Sequence, residues 1–162
     1  MSTPPFTPQI TANLVVQARQ VNQGKSALLI EGVKDARLYR KVVDGSKCQI
    51  VAAGSRLGAE QALAILEARK EPGVLAIVDA DLDHLLGKKS ASPNLILTPT
   101  RDIEGIILSA NRLSAVFAEF DLEHDAFGDS PEIAVVTAMA PLGFLRFAVE
   151  QKKWSVALAK LD

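Results

Sequence analysis

The chain has 162 residues, of which 48% are hydrophobic and 23% are charged, as expected of one soluble globular domain. Its net charge of −1 excludes the broad basic surface of a protein that binds DNA without sequence preference, and an aromatic share of 5% argues against a base-stacking surface. The single cysteine excludes an internal disulfide and a multi-cysteine zinc site. The sequence shows neither a signal peptide nor an apolar run of about 18 residues, so we expect a cytoplasmic protein with no membrane contact.

Strand-like and helix-like patterns alternate along the first hundred residues, after a proline-rich, flexible arm over residues 1–8. The predicted elements in chain order are a helix over about 8–21, a strand over 27–30, a helix over about 35–43, a strand over 48–53, a helix over about 57–70, a strand over 74–78, an exposed, mobile loop over 84–94 and a strand over 95–97. This alternation predicts an α/β fold, in which helices flank a four-stranded, mainly parallel sheet.

The remainder of the chain predicts mostly helices. One helix begins at Asp102–Glu104, a second covers about 110–120, and Ser130-Pro131 is a favoured start for a long helix that Pro141 should kink or split. Residues 121–129 have the composition of an acidic loop, and residues 154–158 alternate like a half-buried strand. We therefore expect a single domain over residues 9–162, whose part from about residue 110 is a helical extension that a longer protein would continue.

Two of the predicted helices have a defined apolar face. In the helix over 35–43, the spacing predicts burial of four residues: Leu38, Tyr39, Val42 and Val43. In the helix over 57–70, it predicts burial of another four: Ala59, Ala62, Leu63 and Leu66. These faces should cover the sheet.

Acidic side chains follow two of the predicted strands. Glu31 closes the first strand, while Asp79, Asp81 and Asp83 follow strand 74–78, whose five apolar residues predict full burial. Ligands bind at the carboxyl ends of strands in open α/β sheets, so these carboxylates are expected to converge on one cleft. One or two of the aspartates would be ordinary turn residues, but a third at alternate spacing favours a site.

Four carboxylates in one cleft would repel each other by several kcal/mol at an effective dielectric of about 20, so about one or two divalent cations are expected there. Oxygen ligands without His or Cys favour a hard ion, Mg²⁺ or alternatively Mn²⁺. Because Mg²⁺ commonly shares its coordination with substrate phosphate, the predicted substrate is a phosphodiester. The metal would neutralise the phosphate and lower the pKa of a bound water, while a carboxylate such as Glu31 would move protons.

Two motifs resemble a known family. Glu31-Gly32-x-x-Asp35 after one strand and Asp79-Ala80-Asp81-Leu82-Asp83 after another resemble the Toprim domain shared by topoisomerases, primases and OLD-type nucleases. With the segment 100–104 and the first helix included, the chain is more similar to a bacterial Toprim-like family related to OLD nucleases, whose members occur with ABC-type ATPases in phage defence. The resemblance covers about residues 11–109.

The resemblance implies a four-stranded parallel core, Glu31 as a general acid or base, and magnesium held by Asp79 and Asp81. Asp83 would be an auxiliary metal ligand. The further auxiliary residues would be Asp35, Asp102 and Glu104. OLD-type sites also add a basic residue near the metals, which the motifs here do not select. The cations considered as phosphate contacts are Lys34, Lys88, Lys89 and Arg101.

Several residues also have simpler interpretations. The segment Gly54–Gly58 before a helix could cradle a phosphate, but a plain strand-to-helix turn is favoured. Asp102 is equally well explained as an N-cap. His84 and His124 are more often inert than functional in such loops. The only tyrosine, Tyr39, is predicted on an apolar helix face, so topoisomerase strand passage is not expected.

The leading hypothesis is a metal-dependent nuclease domain that hydrolyses DNA or RNA as a defence or repair effector. The rival is a non-catalytic module of the same fold that docks on an ATPase or forms a homo-oligomer, which the apolar segment 131–149 favours. A third alternative is a phosphoryl-transfer or nucleotide-binding enzyme.

Overall fold

The computed structural model describes residues 7–22, 24–110, 112–120 and 130–154. The chain divides into two compact units: the first contains Met1–Ala80 and Lys89–Pro99, and the second contains Asp81–Lys88 and Thr100–Asp162. The predicted acidic loop over 121–129 and most of the predicted strand over 154–158 lie outside the described residues. The expectation of a single domain over 9–162 stays a prediction.

The first unit is an α/β structure around a parallel sheet. Its elements are α1 (Pro8–Val21), β1 (Ser26–Ile30), α2 (Val33–Val42), β2 (Cys48–Ala52), α3 (Arg56–Ala68), β3 (Val74–Val78) and β4 (Leu95–Leu97). The strand order is β2-β1-β3-β4, and all three strand pairs are parallel. The predicted α/β fold with a four-stranded sheet flanked by helices is therefore confirmed, and it is compatible with a Rossmann-like fold.

Helices cover the two faces of this sheet differently. On one face, α1 and α3 enclose the larger apolar cluster, which contains Leu29 of β1, Val78 of β3 and the predicted inner face of α3. On the other face, α2 covers a smaller cluster around Leu28 and Ile30. Helix α2 connects β1 to β2 on one side of β1, and α3 connects β2 back to β3 on the other side. Because these two connections run in opposite directions along the sheet, right-handed crossovers place the two helices on opposite faces.

The predicted inner face of α2 is wrong in part. Leu38 and Val42 are 42% and 75% exposed, while the buried residue of this helix is Ala36, and Tyr39 and Val43 pack at the border of the smaller cluster. The helix begins at Val33, two residues earlier than predicted, and its contact with the sheet runs through Ala36, Tyr39 and Val43. Close contact through alanine brings the backbone of α2 near the sheet and leaves its longer side chains at the edge.

Strand β3 is less buried than its sequence predicts. Val74, Ala76 and Val78 are buried against the larger cluster, but Leu75 on the opposite face is 42% exposed. The continuous apolar run was interpreted as a strand covered on both faces. On the α2 face, however, the buried cluster is centred on β1, so the side chain of Leu75 lies beyond it.

The segment between β3 and β4 is anchored at its second half. Ser92 and Asn94 both donate side-chain hydrogen bonds to the Glu67 carboxylate of α3, with the Asn94 Nδ2 atom 2.7 Å from Oε1. The Ser90 hydroxyl donates to the Leu95 carbonyl. The loop predicted over 84–94 is therefore fixed to α3 where it enters β4.

The described residues of the second unit include the helices α4 (Ile103–Ser109), α5 (Leu113–Glu119) and α6 (Pro131–Lys152). The Ser130 hydroxyl accepts a hydrogen bond from the Ile133 N–H, as the Ser-Pro start predicts. Pro141 does not split α6, which continues to Lys152.

Helix α6 exposes large apolar side chains along its length. Phe144 is 74% exposed, and Ile133, Val136 and Met139 are also exposed. Among the described residues, α6 is the one helix whose length and apolar composition would be sufficient to cross a membrane. Arg146 interrupts the apolar residues of this helix, and the expectation of a cytoplasmic protein without membrane contact stays a prediction.

Candidate functional site

The carboxyl ends of β1 and β3 form a topological switch point. Strands β1 and β3 are neighbours in the sheet. The chain continues from β1 to β2 on one side of them and from β3 to β4 on the other side, so the two connections lead in opposite directions. In open α/β sheets, ligands bind in the crevice outside such a point. Glu31 directly follows β1 and Asp79 directly follows β3, which places two of the predicted site residues at this position.

Glu31 and Asp79 are joined by a hydrogen bond. The Asp79 N–H donates to the Glu31 Oε1 atom at 2.8 Å, although the two residues are 48 apart in the sequence. The main chain of Glu31 is also held, because its carbonyl accepts a hydrogen bond from the Gly54 N–H at 2.7 Å. The two acidic motifs predicted from the sequence are thus brought together at their first residues, through the Glu31 carboxylate and the Asp79 amide; these two residues are here called the Glu31–Asp79 pair.

Two side chains that the sequence did not indicate also hold the end of β3. Arg56, in the first turn of α3, donates from Nη1 to the Asp79 carbonyl at 3.1 Å. Thr98, which follows β4 and is 2% exposed, accepts a hydrogen bond from the Ala80 N–H at 2.9 Å. Arg56 lies within the Gly54–Gly58 segment. The sequence indicated a role for the glycines of this segment and none for the Arg56 guanidinium.

Tyr39 lies on the α2 side of the same region. Burial raises the pKa of its phenol, and the negative charges of Asp79 and Asp35 raise that pKa further. Asp35 also accepts a hydrogen bond from the Gly32 N–H at 3.0 Å, so its carboxylate stabilises the start of α2. A local role in the helix start therefore accounts for Asp35.

The Gly54–Gly58 segment has the geometry of a strand-to-helix turn. Gly54 has a φ of +86°, a conformation that favours glycine. Ser55 caps α3 by accepting a hydrogen bond from the Gly58 N–H at 3.1 Å, which occupies one of the amide groups that a phosphate would use. These contacts support the turn interpretation over the phosphate cradle.

The second unit contains the other predicted carboxylates. Asp81 is exposed and has a φ of +48°, and its N–H donates to the Arg101 carbonyl at 2.8 Å. Asp83 is 7% exposed and forms an ion pair with Lys88, whose Nζ lies 3.1 Å from Oδ1. Lys88 also lies 3.8 Å from Glu150 near the end of α6. Both Asp83 and Lys88 are therefore engaged within this unit.

Asp102 is the N-cap of α4. Its Oδ1 atom accepts a hydrogen bond from the Gly105 N–H at 2.8 Å, and its Oδ2 atom lies 3.6 Å from Nε of Arg101. Glu104 is exposed in the first turn, where a negative charge interacts favourably with the helix dipole. The remaining residues proposed for phosphate contact or ligand binding are exposed; they are Lys34, Lys89 and His84.

The donor chemistry of the site suits a hard cation, although few donors are assembled. Within residues 7–22, 24–110, 112–120 and 130–154, no group of three or more His, Cys, Asp or Glu side chains could hold a metal ion. Magnesium commonly needs only one or two protein carboxylates, with water and substrate phosphate completing its coordination. Glu31 and Asp79 each carry a carboxylate, the type of oxygen donor that such a site uses.

No family model matches this chain, and no curated protein or solved structure shows significant similarity to it.

Proposed function

We propose that this chain is a Toprim-like, metal-dependent nuclease domain that hydrolyses phosphodiester bonds of DNA or RNA. One observation carries the proposal: the hydrogen bond from the Asp79 N–H to the Glu31 carboxylate, at the switch point between β1 and β3. It is the position in the sheet at which ligands are expected, and the side chains are those that a hard cation prefers.

Glu31 and Asp79 would hold Mg²⁺ or Mn²⁺, which supplies positive charge at the phosphate and lowers the pKa of a bound water. Asp81, two residues after Asp79 in the sequence, is proposed as a further ligand on the sequence motif alone. Hydrolysis joins a water oxygen to phosphorus, with loss of a proton from that water, and breaks the ester bond to the sugar oxygen, which takes up a proton. Glu31 is proposed to move these protons, the role that the resemblance to Toprim domains implies for it.

The charge of Glu31 can be separated from its hydrogen bond. In Glu31→Gln, an amide oxygen can still accept from the Asp79 N–H, but the negative charge is lost; Glu31→Ala loses both. We expect both variants to lose at least about 100-fold in the rate of Mn²⁺-dependent cleavage of labelled single- and double-stranded substrates. Asp44→Asn is the matched control, since Asp44 is an exposed carboxylate of the turn before β2, and it should keep the wild-type rate.

Asp81 is best tested by Asp81→Asn. Its positive φ is tolerated by asparagine, whereas alanine would add about 1–2 kcal/mol of backbone strain. The asparagine variant therefore removes the negative charge without the backbone strain of alanine, and it should weaken Mn²⁺ binding. Wild-type protein that neither binds Mn²⁺ by calorimetry nor cleaves any of the substrates would refute the proposed function.

The exposed apolar surface of α6 favours a second candidate function, a non-catalytic module that binds a protein partner, such as an ABC-type ATPase, or another copy of the chain. Few monomeric proteins expose a continuous apolar helix of this length, and such surfaces commonly mark interaction sites.

Light scattering after size-exclusion chromatography tests the homo-oligomer. Phe144→Glu should convert an oligomer to a monomer, whereas Val21→Glu, which adds the same charge at an exposed apolar residue of α1, should leave the mass unchanged. A wild-type monomer that remains active as a nuclease would exclude oligomerisation as the function.

A further inference from the structure

The main chain around Asp79 is held by three side chains from three different segments. Glu31 accepts from the Asp79 N–H, Arg56 donates to the Asp79 carbonyl, and Thr98 accepts from the Ala80 N–H. In addition, the Thr98 N–H donates to the Val78 carbonyl at 3.0 Å. The polar groups on both sides of the Asp79 Cα atom are therefore bound by groups outside β3.

This arrangement fixes the direction in which the Asp79 side chain leaves the main chain. The φ and ψ angles of a residue are set by the orientations of its two flanking peptide planes, and these angles determine where the Cα–Cβ bond points. Glu31 holds the plane before Asp79, while Arg56 and Thr98 hold the plane after it. At the end of a strand, where the sheet no longer supplies partners, the Cα–Cβ bond of Asp79 thereby has a defined direction.

We propose that Arg56 and Thr98 are positioning residues of the Glu31–Asp79 pair, which orient the Asp79 carboxylate towards a divalent cation. The inference rests on the proposed function, and it adds two residues that the acidic motifs do not contain. Neither residue needs to contact the metal or the phosphodiester, since both act through the peptide planes of Asp79. Partners of this kind change metal affinity or activity by about 10- to 100-fold when they are removed.

Thr98 allows a matched pair of substitutions. Thr98→Val keeps the shape of the buried side chain but removes the hydroxyl that accepts from the Ala80 N–H, whereas Thr98→Ser keeps the hydroxyl. We expect hydrogen exchange of the Ala80 amide, measured by NMR on the metal-free protein, to become at least about 10-fold faster in the valine variant. Mn²⁺ affinity measured by calorimetry should fall by about 10- to 100-fold in that variant. The serine variant should restore both to within about threefold of wild type.

Arg56 provides a second test should Thr98→Val fail to fold, because its side chain is partly exposed. Arg56→Gln should weaken Mn²⁺ binding by about 10-fold or more with the far-UV circular dichroism spectrum unchanged. Arg69→Gln is the control, since Arg69 follows the other end of α3 and bonds to Asn13.

The possible outcomes distinguish this inference from the proposed function. Wild type that binds Mn²⁺, together with folded Thr98→Val or Arg56→Gln protein that binds it equally tightly, overturns the positioning roles and leaves the proposed function standing. An equal loss of affinity in Arg69→Gln also overturns them, because the effect would then be general. Wild type that binds no Mn²⁺ overturns the proposed function and this inference with it.

Discussion

Gly58 lies in the first turn of α3, where the helix passes close to the end of β2. A Cβ atom at this position would lie 2.7 Å from the backbone oxygen of Ala53 and 3.2 Å from the Ser55 hydroxyl oxygen. Alanine normally stabilises a helix relative to glycine. Here we expect the opposite, because a backbone oxygen at the end of a strand cannot move aside as the tip of a flexible side chain can.

The expected size follows from three opposing contributions. Forcing a methyl group into a filled space costs about 1–3 kcal/mol, and disturbing the Ser55 cap adds up to about 1 kcal/mol. The gain in helix propensity returns about 1 kcal/mol. Gly58→Ala should therefore lower the free energy of unfolding by about 1.5 kcal/mol at the middle of these ranges, and by at most about 3 kcal/mol, which corresponds to roughly 2–4 °C in melting temperature for each kcal/mol in a chain of this size.

Urea denaturation followed by circular dichroism at 222 nm measures this difference. Gly45→Ala is the matched control: it is in the same unit, its Cβ would meet nothing within 4 Å, and it should be neutral or stabilising by up to about 1 kcal/mol. If Gly58→Ala proved as stable as wild type or more stable, the close approach of α3 to β2 would not constrain this position.

Three further predictions concern the first unit. The single tyrosine, Tyr39, should titrate above its ordinary pKa when absorbance is followed at 295 nm, and Asp79→Asn should lower that pKa because it removes one of the raising charges. Hydrogen bonds from Ser46 lower the pKa of Asp44, so this carboxylate stabilises the fold at pH values above its unfolded pKa of about 4. This stabilisation is lost as the pH falls through the folded pKa. Asp44→Asn should therefore remove this pH dependence from melting curves. Leu66→Ala should cost about 2–5 kcal/mol in urea unfolding, because Leu66 is fully buried in the larger cluster.

Each of these has a contradicting result. An unchanged Tyr39 titration in Asp79→Asn would mean that the two side chains do not interact. Identical acid melting curves for wild type and Asp44→Asn would remove Asp44 from the acid dependence. For Leu66, the control is Leu57→Ala on the exposed side of the same helix, which should cost less than about 0.5 kcal/mol, and equal losses in both would contradict the assignment of the buried face.

The sequence predicted the elements of the first unit closely because their signals are local. The helix over 8–21 and the strands over 74–78 and 95–97 have the bounds that were predicted, since each is an apolar pattern bounded by Gly, Pro or polar turn residues. The α2 face was predicted poorly. A short helix with many charges offers few apolar positions, and the small side chain of Ala36, rather than the larger Leu38 and Val42, meets the sheet.

The sequence by itself determined that carboxylates follow β1 and β3, because residue order and strand ends are local properties of the chain. The tertiary structure decided that β1 and β3 are neighbours, which brings Glu31 within hydrogen-bond distance of Asp79 across 48 residues. It also decided that Arg56 and Thr98 both bind the peptide group between Asp79 and Ala80. Strand order and long-range hydrogen bonds depend on how helices cover the whole sheet, and no periodicity within a single segment encodes that arrangement.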